Sequence, residues 1–99
     1  MDYKVIWEDE AIEELAQAVR YISARNPVAA RKTGEAILEK VGRLGSFPRL
    51  GKVFSKLARD DVREIPFPPF RIIYHVKDSE PSVRILKIWH GAQQEPELE

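Results

Sequence analysis

The spacing of apolar positions changes character twice along this chain. Tyr3-Lys4-Val5-Ile6-Trp7 is β-branched and aromatic, the make-up of a short strand. From residue 9 the spacing becomes helical. Ile12, Leu15, Val19 and Ile22 recur every three or four residues with Ala11 and Ala18 beside them, predicting a helix to about Arg25. Asp9 reads as its N-cap, and Glu10, Glu13 and Glu14 place anions where a helix dipole favours them. Asn26-Pro27 is a cap followed by proline at the first helical position. A second helix is expected from there to about Leu44, on the stripe Ala30, Gly34, Ile37, Val41 and Leu44. Glycine inside a helix costs roughly 1 kcal/mol relative to alanine. Gly34 on the apolar stripe therefore predicts close approach of the first helix, and Gly45 a C-terminal stop.

Phe47-Pro48-Arg49-Leu50-Gly51-Lys52 is rich in turn residues and reads as a loop. Residues 53–61 fit either a short helix or an irregular basic segment. Three strands are then expected, Val62–Pro66, Phe70–Val76 and Val83–Trp89. Pro68-Pro69 and Asp78-Ser79-Glu80-Pro81 separate them, and connections this short join antiparallel neighbours. In the last strand both alternating sets mix apolar and polar residues, as in a central strand with both faces partly covered. The expected fold class is α+β. An N-terminal strand and a two-helix hairpin precede a three-strand antiparallel meander, with the helices on one face of a small sheet. Residues 1–99 are read as one domain, a size that buries one modest core.

Composition excludes several functions. There is no cysteine, so no disulfide framework, thiolate metal site or thiol nucleophile. His75 and His90 leave little for a zinc site, and no cofactor or metal is expected. No stretch approaches the ~20 apolar residues that span a membrane, and the N-terminus lacks a signal peptide's apolar core. The expected compartment is the cytoplasm. The charge is zero overall but uneven. Residues 1–19 carry one base and six acids, while residues 40–77 carry nine bases and three acids. A basic middle suits phosphate or an acidic protein partner, against the plainer reading of a solvated face. Leu98-Glu99 have the look of a cloning remnant, and their contribution is discounted.

The ordered set of segments resembles the RelE/ParE toxin superfamily over nearly the whole chain. The resemblance is carried by Tyr3-Lys4-Val5-Ile6-Trp7, Asn26-Pro27 with Ala29-Ala30, Leu44 with Phe47-Pro48 and Gly51, Val62-Arg63-Glu64, Phe70-Arg71-Ile72-Ile73-Tyr74, and Ile85-Leu86-Lys87-Ile88-Trp89-His90-Gly91. Within the superfamily the chain is more similar to the ParE branch. The resemblance implies the toxin of a type II toxin–antitoxin pair, a plasmid-stabilisation system with a cognate antitoxin as partner. ParE-like toxins poison DNA gyrase without catalysis. RelE-like toxins, the alternative, cut messenger RNA on the ribosome; a third reading is a toxin fold that has lost toxicity.

Metal-independent RNA cleavage needs a base for the 2′-hydroxyl, a cation for the pentavalent phosphate and an acid for the leaving oxygen. If the nuclease alternative holds, His90 is the acid or base, Arg71 matches the phosphate-contacting position, and Arg63 sits one strand across. The plainer readings are a structural histidine and ion-paired arginines, and His75 reads as a half-exposed sheet residue. Two features depart from the nuclease pattern. Gly91-Ala92-Gln93-Gln94 offers glutamines where an arginine is usual, and no tyrosine follows. The resemblance also implies an antitoxin that wraps the toxin with a helix and an extended strand. Arg49, Lys52, Lys56 and Arg59 are the expected basic rim for such an acidic partner.

Overall fold

The computed structural model describes residues 2–54, 57 and 59–91. The element order is β1 (Lys4–Trp7), α1 (Asp9–Ser23), α2 (Pro27–Gly42), a 3-10 turn (Arg43–Gly45), β2 (Lys52–Phe54), β3 (Arg59–Phe67), β4 (Phe70–Lys77) and β5 (Ser82–His90). Among the described residues these strands form one sheet in the order β1-β5-β4-β3-β2. The hairpins β2–β3, β3–β4 and β4–β5 are antiparallel, while β1 pairs parallel to β5, Val5 opposite Val83 and Trp7 opposite Ile85.

Both helices form where the apolar spacing places them. Asn26 caps α2 by accepting the backbone N–H of Ala29 at 3.1 Å, and Pro27 follows at the first helical position. Asp9 is not a cap: Glu8 holds that place without a side-chain cap bond, and Asp9 lies in the first turn, where its charge suits the dipole. α2 ends at Gly42 and tightens into the 3-10 turn, so Gly45 closes that turn rather than the helix. A Cβ on Gly45 would stand 3.1 Å from the Tyr3 carbonyl oxygen, so the close pass of β1 keeps this position small. At Gly34 an added Cβ would meet Val19 Cγ2 at 3.4 Å, the close helix approach that its place on the stripe predicted.

The sheet buries apolar residues on both faces. Toward the helices, Ala11, Ile37, Val41 and Leu44 pack on Ile65, Ile72, Tyr74, Val76, Val83, Ile85 and Ile88. On the opposite face Phe54, Val62 and Ile73 form a second cluster, with Leu57, Leu86 and Trp89 packed against it. Each fully buried large side chain stabilises the fold by about 1.5–3 kcal/mol through the water it sheds.

β5 explains its own mixed pattern. Ile73 pairs with Lys87 but Tyr74 pairs with Ile85, so Leu86 is an extra residue on β5. Such a bulge reverses the alternation. Val83 and Ile85 face the helices before it, and Ile88 faces them after it. β5 is also central, between β1 and β4, as the mixed pattern predicted.

Candidate functional site

The β4–β5 register decides what the last strand can do. Phe70 lies opposite His90 and Arg71 opposite Trp89. Phe70 belongs to the helix-side core, and the His90 ring meets it edge-on, centroids 5.4 Å apart at 89°. Arg71 turns to the other face. Its guanidinium carbon lies 5.8 Å from the Phe54 ring centroid, and its Nε donates to Glu64 Oε1 at 2.8 Å. The Glu64 side chain is 6% exposed, so this cation neutralises a buried carboxylate.

Arg63 is committed elsewhere. It pairs with Tyr74, four residues along β4 from the partner of His90, about 13 Å at the rise of a strand. It donates to the Gly51 carbonyl at 2.8 Å and to the Asp60 backbone carbonyl at 3.0 Å, and ion-pairs with the Asp60 carboxylate. His90, Arg71 and Arg63 therefore do not converge on a common point.

His90 instead faces α1. It lines a cavity of about 470 Å³ with Glu14, Gln17, Ala18, Tyr21, Phe70, Ile88 and Trp89. Glu14 accepts the Ile88 backbone N–H at 2.8 Å, serving as the strand neighbour that β5 lacks once β1 has ended. Burial pushes the Glu14 carboxyl above the ordinary glutamate value, and the Ile88 N–H and the Lys87 ammonium oppose the shift. Lys87, with 12% of its side chain exposed, bridges Glu10 and Glu14 and lies 5.6 Å from the Trp89 ring centroid. Sequence reasoning treated Glu14 only as a dipole-favoured anion. The signal that it does more is its place beside Leu15, on the flank of the α1 stripe that turns toward the sheet.

The expected basic rim is largely neutralised from within. Arg49 grips Asp78 with two nitrogens at 3.2 and 2.8 Å and sits 3.6 Å from Asp60. Arg59 makes a two-nitrogen pair with Asp61 at 3.0 and 2.8 Å. Arg59 first, and then the His75 imidazole 2.9 Å away, hold the Asp61 carboxyl down to about 2. Lys52 is exposed at the β2 edge. Lys56, Gln93, Gln94 and Leu98-Glu99 lie outside the described residues. Among the described residues no group of three or more His, Cys, Asp or Glu is placed to hold a metal ion. Among them, too, no helix is long and apolar enough to cross a membrane.

The family model of the ParE toxin of type II toxin–antitoxin systems, parDE, matches residues 5–95. The chain belongs to this family. It is the toxin of a type II pair, and an antitoxin is its partner. No curated protein matches it. Solved structures share the toxin's fold. The chromosomal ParDE system of P. aeruginosa superposes with a TM-score of 0.73 at 22% identity, covering 89% of this chain and 95% of that one. The RelBE2 toxin–antitoxin complex of Mycobacterium tuberculosis gives 0.65 at 22% identity, covering 91% and 99%. A free mutant of the E. coli toxin RelE gives 0.66 at 17% identity, covering 91% and 84%.

Proposed function

We propose that this toxin acts in the cytoplasm by binding DNA gyrase and blocking it, and that a cognate antitoxin lifts the block by covering the toxin. The family match carries this reading. Two features of the site support it. The cations that would hold a phosphate are spent on Glu64 and Asp60, and His90 stands on the sheet face away from Arg71. A binding inhibitor needs no such constellation.

One observation favours a second reading, a ribosome-dependent mRNA endonuclease. Glu14 and His90 line the same cavity, and a carboxyl with a raised pKa is a group suited to proton transfer. Inducing the toxin alone in growing cells separates the two. The gyrase reading expects DNA synthesis to stop first, with linear DNA accumulating. Early arrest of protein synthesis with messenger cut at codon-spaced positions would establish the endonuclease. Normal growth would establish a toxin fold without toxicity.

For the antitoxin, two surfaces serve. The cavity beside α1 is a concave, mainly apolar groove that suits an amphipathic segment ordered on binding. The second surface is the rim of Arg49, Lys52, Lys56 and Arg59. The cavity lies at the Phe70 end of β4 and Arg49 at the Asp78 end, so an antitoxin touching both runs the length of the sheet.

A further inference from the structure

The two edges of the sheet are guarded unequally. β2 is protected by being three residues long, by the irregularity between Val53 and Phe54 and by the exposed Lys52. β1, the other edge among the described residues, is Lys4-Val5-Ile6-Trp7. It is β-branched and aromatic, with no proline and no irregularity in its pairing with β5. Lys4 N–H donates to the Pro81 carbonyl and Glu8 N–H to the Ile85 carbonyl, each at 3.0 Å. These residues face β5, so alternation turns the N–H and C=O of Val5 and Trp7 to the open edge. The start of the strand is taken, since Tyr3 N–H donates to the Gly45 carbonyl at 2.7 Å. Its end stays extended through Glu8, at φ −70° and ψ 148°, before α1 begins.

Register and charge select a second copy of the chain as the occupant. An added antiparallel strand bonds only where its own outward N–H and C=O groups meet those of Val5 and Trp7. For a second β1, the pairings that satisfy this are centred on Val5, Ile6 or Trp7. Centred on Val5, the pairing sets Glu8 opposite Asp2 of the second copy, two acids. Centred on Trp7, it needs Asp9 opposite Val5, and Asp9 is already helical. Centred on Ile6, it sets Val5 opposite Trp7, so that each such pair exchanges both backbone bonds, and Lys4 opposite Glu8 at both ends.

The side chains suit that pairing. Lys4 is exposed and has no ion-pair partner among the described residues. It lines a cavity of about 370 Å³ with Ile6, Lys77, Glu80 and Arg84, where cations outnumber acids. Glu8 lies on the same sheet face, 2.6 Å from Arg84, whose strand position is opposite Ile6. Lys4, Ile6 and Glu8 thus share one face of β1. Alone, the Lys4 charge discourages pairing with a neutral strand; opposite Glu8 of a second copy it becomes an attraction. We propose that β1 is a self-pairing edge, through which two toxin molecules join their sheets about a twofold axis at Ile6. The ladder is short, so the dimer is a transient one with a micromolar dissociation constant. The inference does not depend on which target the toxin blocks.

Sedimentation velocity on the toxin alone, from about 1 to 300 µM, tests this, since a micromolar equilibrium is crossed in that range. The wild type should pass from monomer to dimer. Lys4→Glu sets two acids opposite each other at both ends and should weaken dimerisation by about tenfold or more. The swap Lys4→Glu/Glu8→Lys restores opposite charges and should return the dissociation constant to within about threefold of the wild type. Circular dichroism checks each fold, because Glu8 also holds Arg84. Amide hydrogen exchange on the wild type needs no variant, and decides if the swap does not fold: Val5 and Trp7 should gain protection as concentration rises. A monomer throughout overturns the proposal. So does a dimer that Lys4→Glu leaves unchanged, a folded swap variant as weak as Lys4→Glu, or a dimer in which Val5 and Trp7 exchange as fast as in the monomer. Protection of those amides only when the antitoxin is present assigns the edge to the antitoxin and overturns self-pairing.

Discussion

Arg71 and His90 project from opposite faces of the same sheet, although their strands are neighbours and their positions are one register step apart. Arg71 lies opposite Trp89 and Phe70 opposite His90, and alternation along β4 separates the pair. The consequence is functional. A phosphate held by Arg71 is on the wrong side of the sheet for the His90 imidazole. We therefore expect His90→Ala to keep growth arrest within about threefold of the wild type. A loss of a hundredfold or more, with the fold intact, would restore the endonuclease.

Arg71 has a different job, and its removal should show it. Glu64 is buried, and without its cation it becomes an uncompensated charge, costing about 3 kcal/mol. The double variant Arg71→Ala/Glu64→Ala removes both charges and should recover much of the loss. Urea denaturation of the two single variants and the double one measures the coupling. Additive losses would mean the two residues act independently.

Gly51 and Gly42 should respond to alanine in opposite directions. At Gly51 the added Cβ meets Glu64 O at 2.5 Å, Tyr74 Oη at 2.8 Å and Ile65 Cγ1 at 2.9 Å. Two of these atoms are backbone or fully buried, so relief requires β2 to lift from β3. A loss of about 2–3 kcal/mol is expected, typical of overpacking. At Gly42 an added Cβ finds nothing within 4 Å, and the residue closes α2, so alanine should add about 0.5–1 kcal/mol. Paired thermal melts decide both.

The pH dependence of stability combines acids of opposite sign. Arg59 first, and then His75, hold Asp61 down to about 2. Asp78 is lowered by Arg49 first and then by the Tyr3 hydroxyl. A depressed carboxylate stabilises above its unfolded value and loses that contribution as pH falls through its folded one. Asp61 should thus give way between the ordinary 3.8 and about 2. Glu14 works in reverse, because burial raises it above 4.5. Its ionisation penalises the fold, and the penalty grows as pH rises from 4.5 through the raised value. Glu14→Gln keeps an oxygen for the Ile88 N–H, so the variant should be more stable than the wild type at pH 7. The gain should vanish below pH 4.5. A gain that persists at pH 3, or none at pH 7, would assign Glu14 another role.

Most of the element order was legible in the sequence, because spacing records which face of each element is buried. α1 and α2 end within about two residues of their expected bounds, while β3 begins at Arg59, three residues ahead of Val62. β2 was missed, with Lys52 read as loop and 53–61 as a short helix or irregular segment, because it is a three-residue edge strand whose pairing with β3 no local pattern records. The parallel β1–β5 pairing joins residues 78 apart, such as Val5 and Val83, for the same reason. The site was less legible. Its meaning depends on which face each side chain takes, and the Leu86 bulge shifts that by one residue on β5. Arg49 read as free charge because Asp78 becomes its partner only through the fold, whereas Asp61 stands two residues from Arg59 on one face of β3, a pairing that strand alternation could have shown.

Those pairings also sharpen what the basic rim can contribute to antitoxin binding. The triple variant Arg49→Ala/Lys52→Ala/Lys56→Ala should weaken binding and flatten its dependence on salt, since each lost cation removes a screened attraction. The three residues should not contribute alike. Arg49 is already engaged by Asp78 and Asp60, and Arg63 also holds Asp60, so removing Arg49 takes the cation from Asp78 and works mainly through the clamp on the 46–51 loop. Lys52 stands exposed on the β2 edge. The single variant Lys52→Ala should therefore lower the salt slope without moving the thermal midpoint, and Arg49→Ala should lower the midpoint. Titration calorimetry at two ionic strengths, with melts alongside, separates them. An unchanged dissociation constant for the triple variant at low salt would remove the rim from the interface and leave the α1 groove as the antitoxin's principal seat.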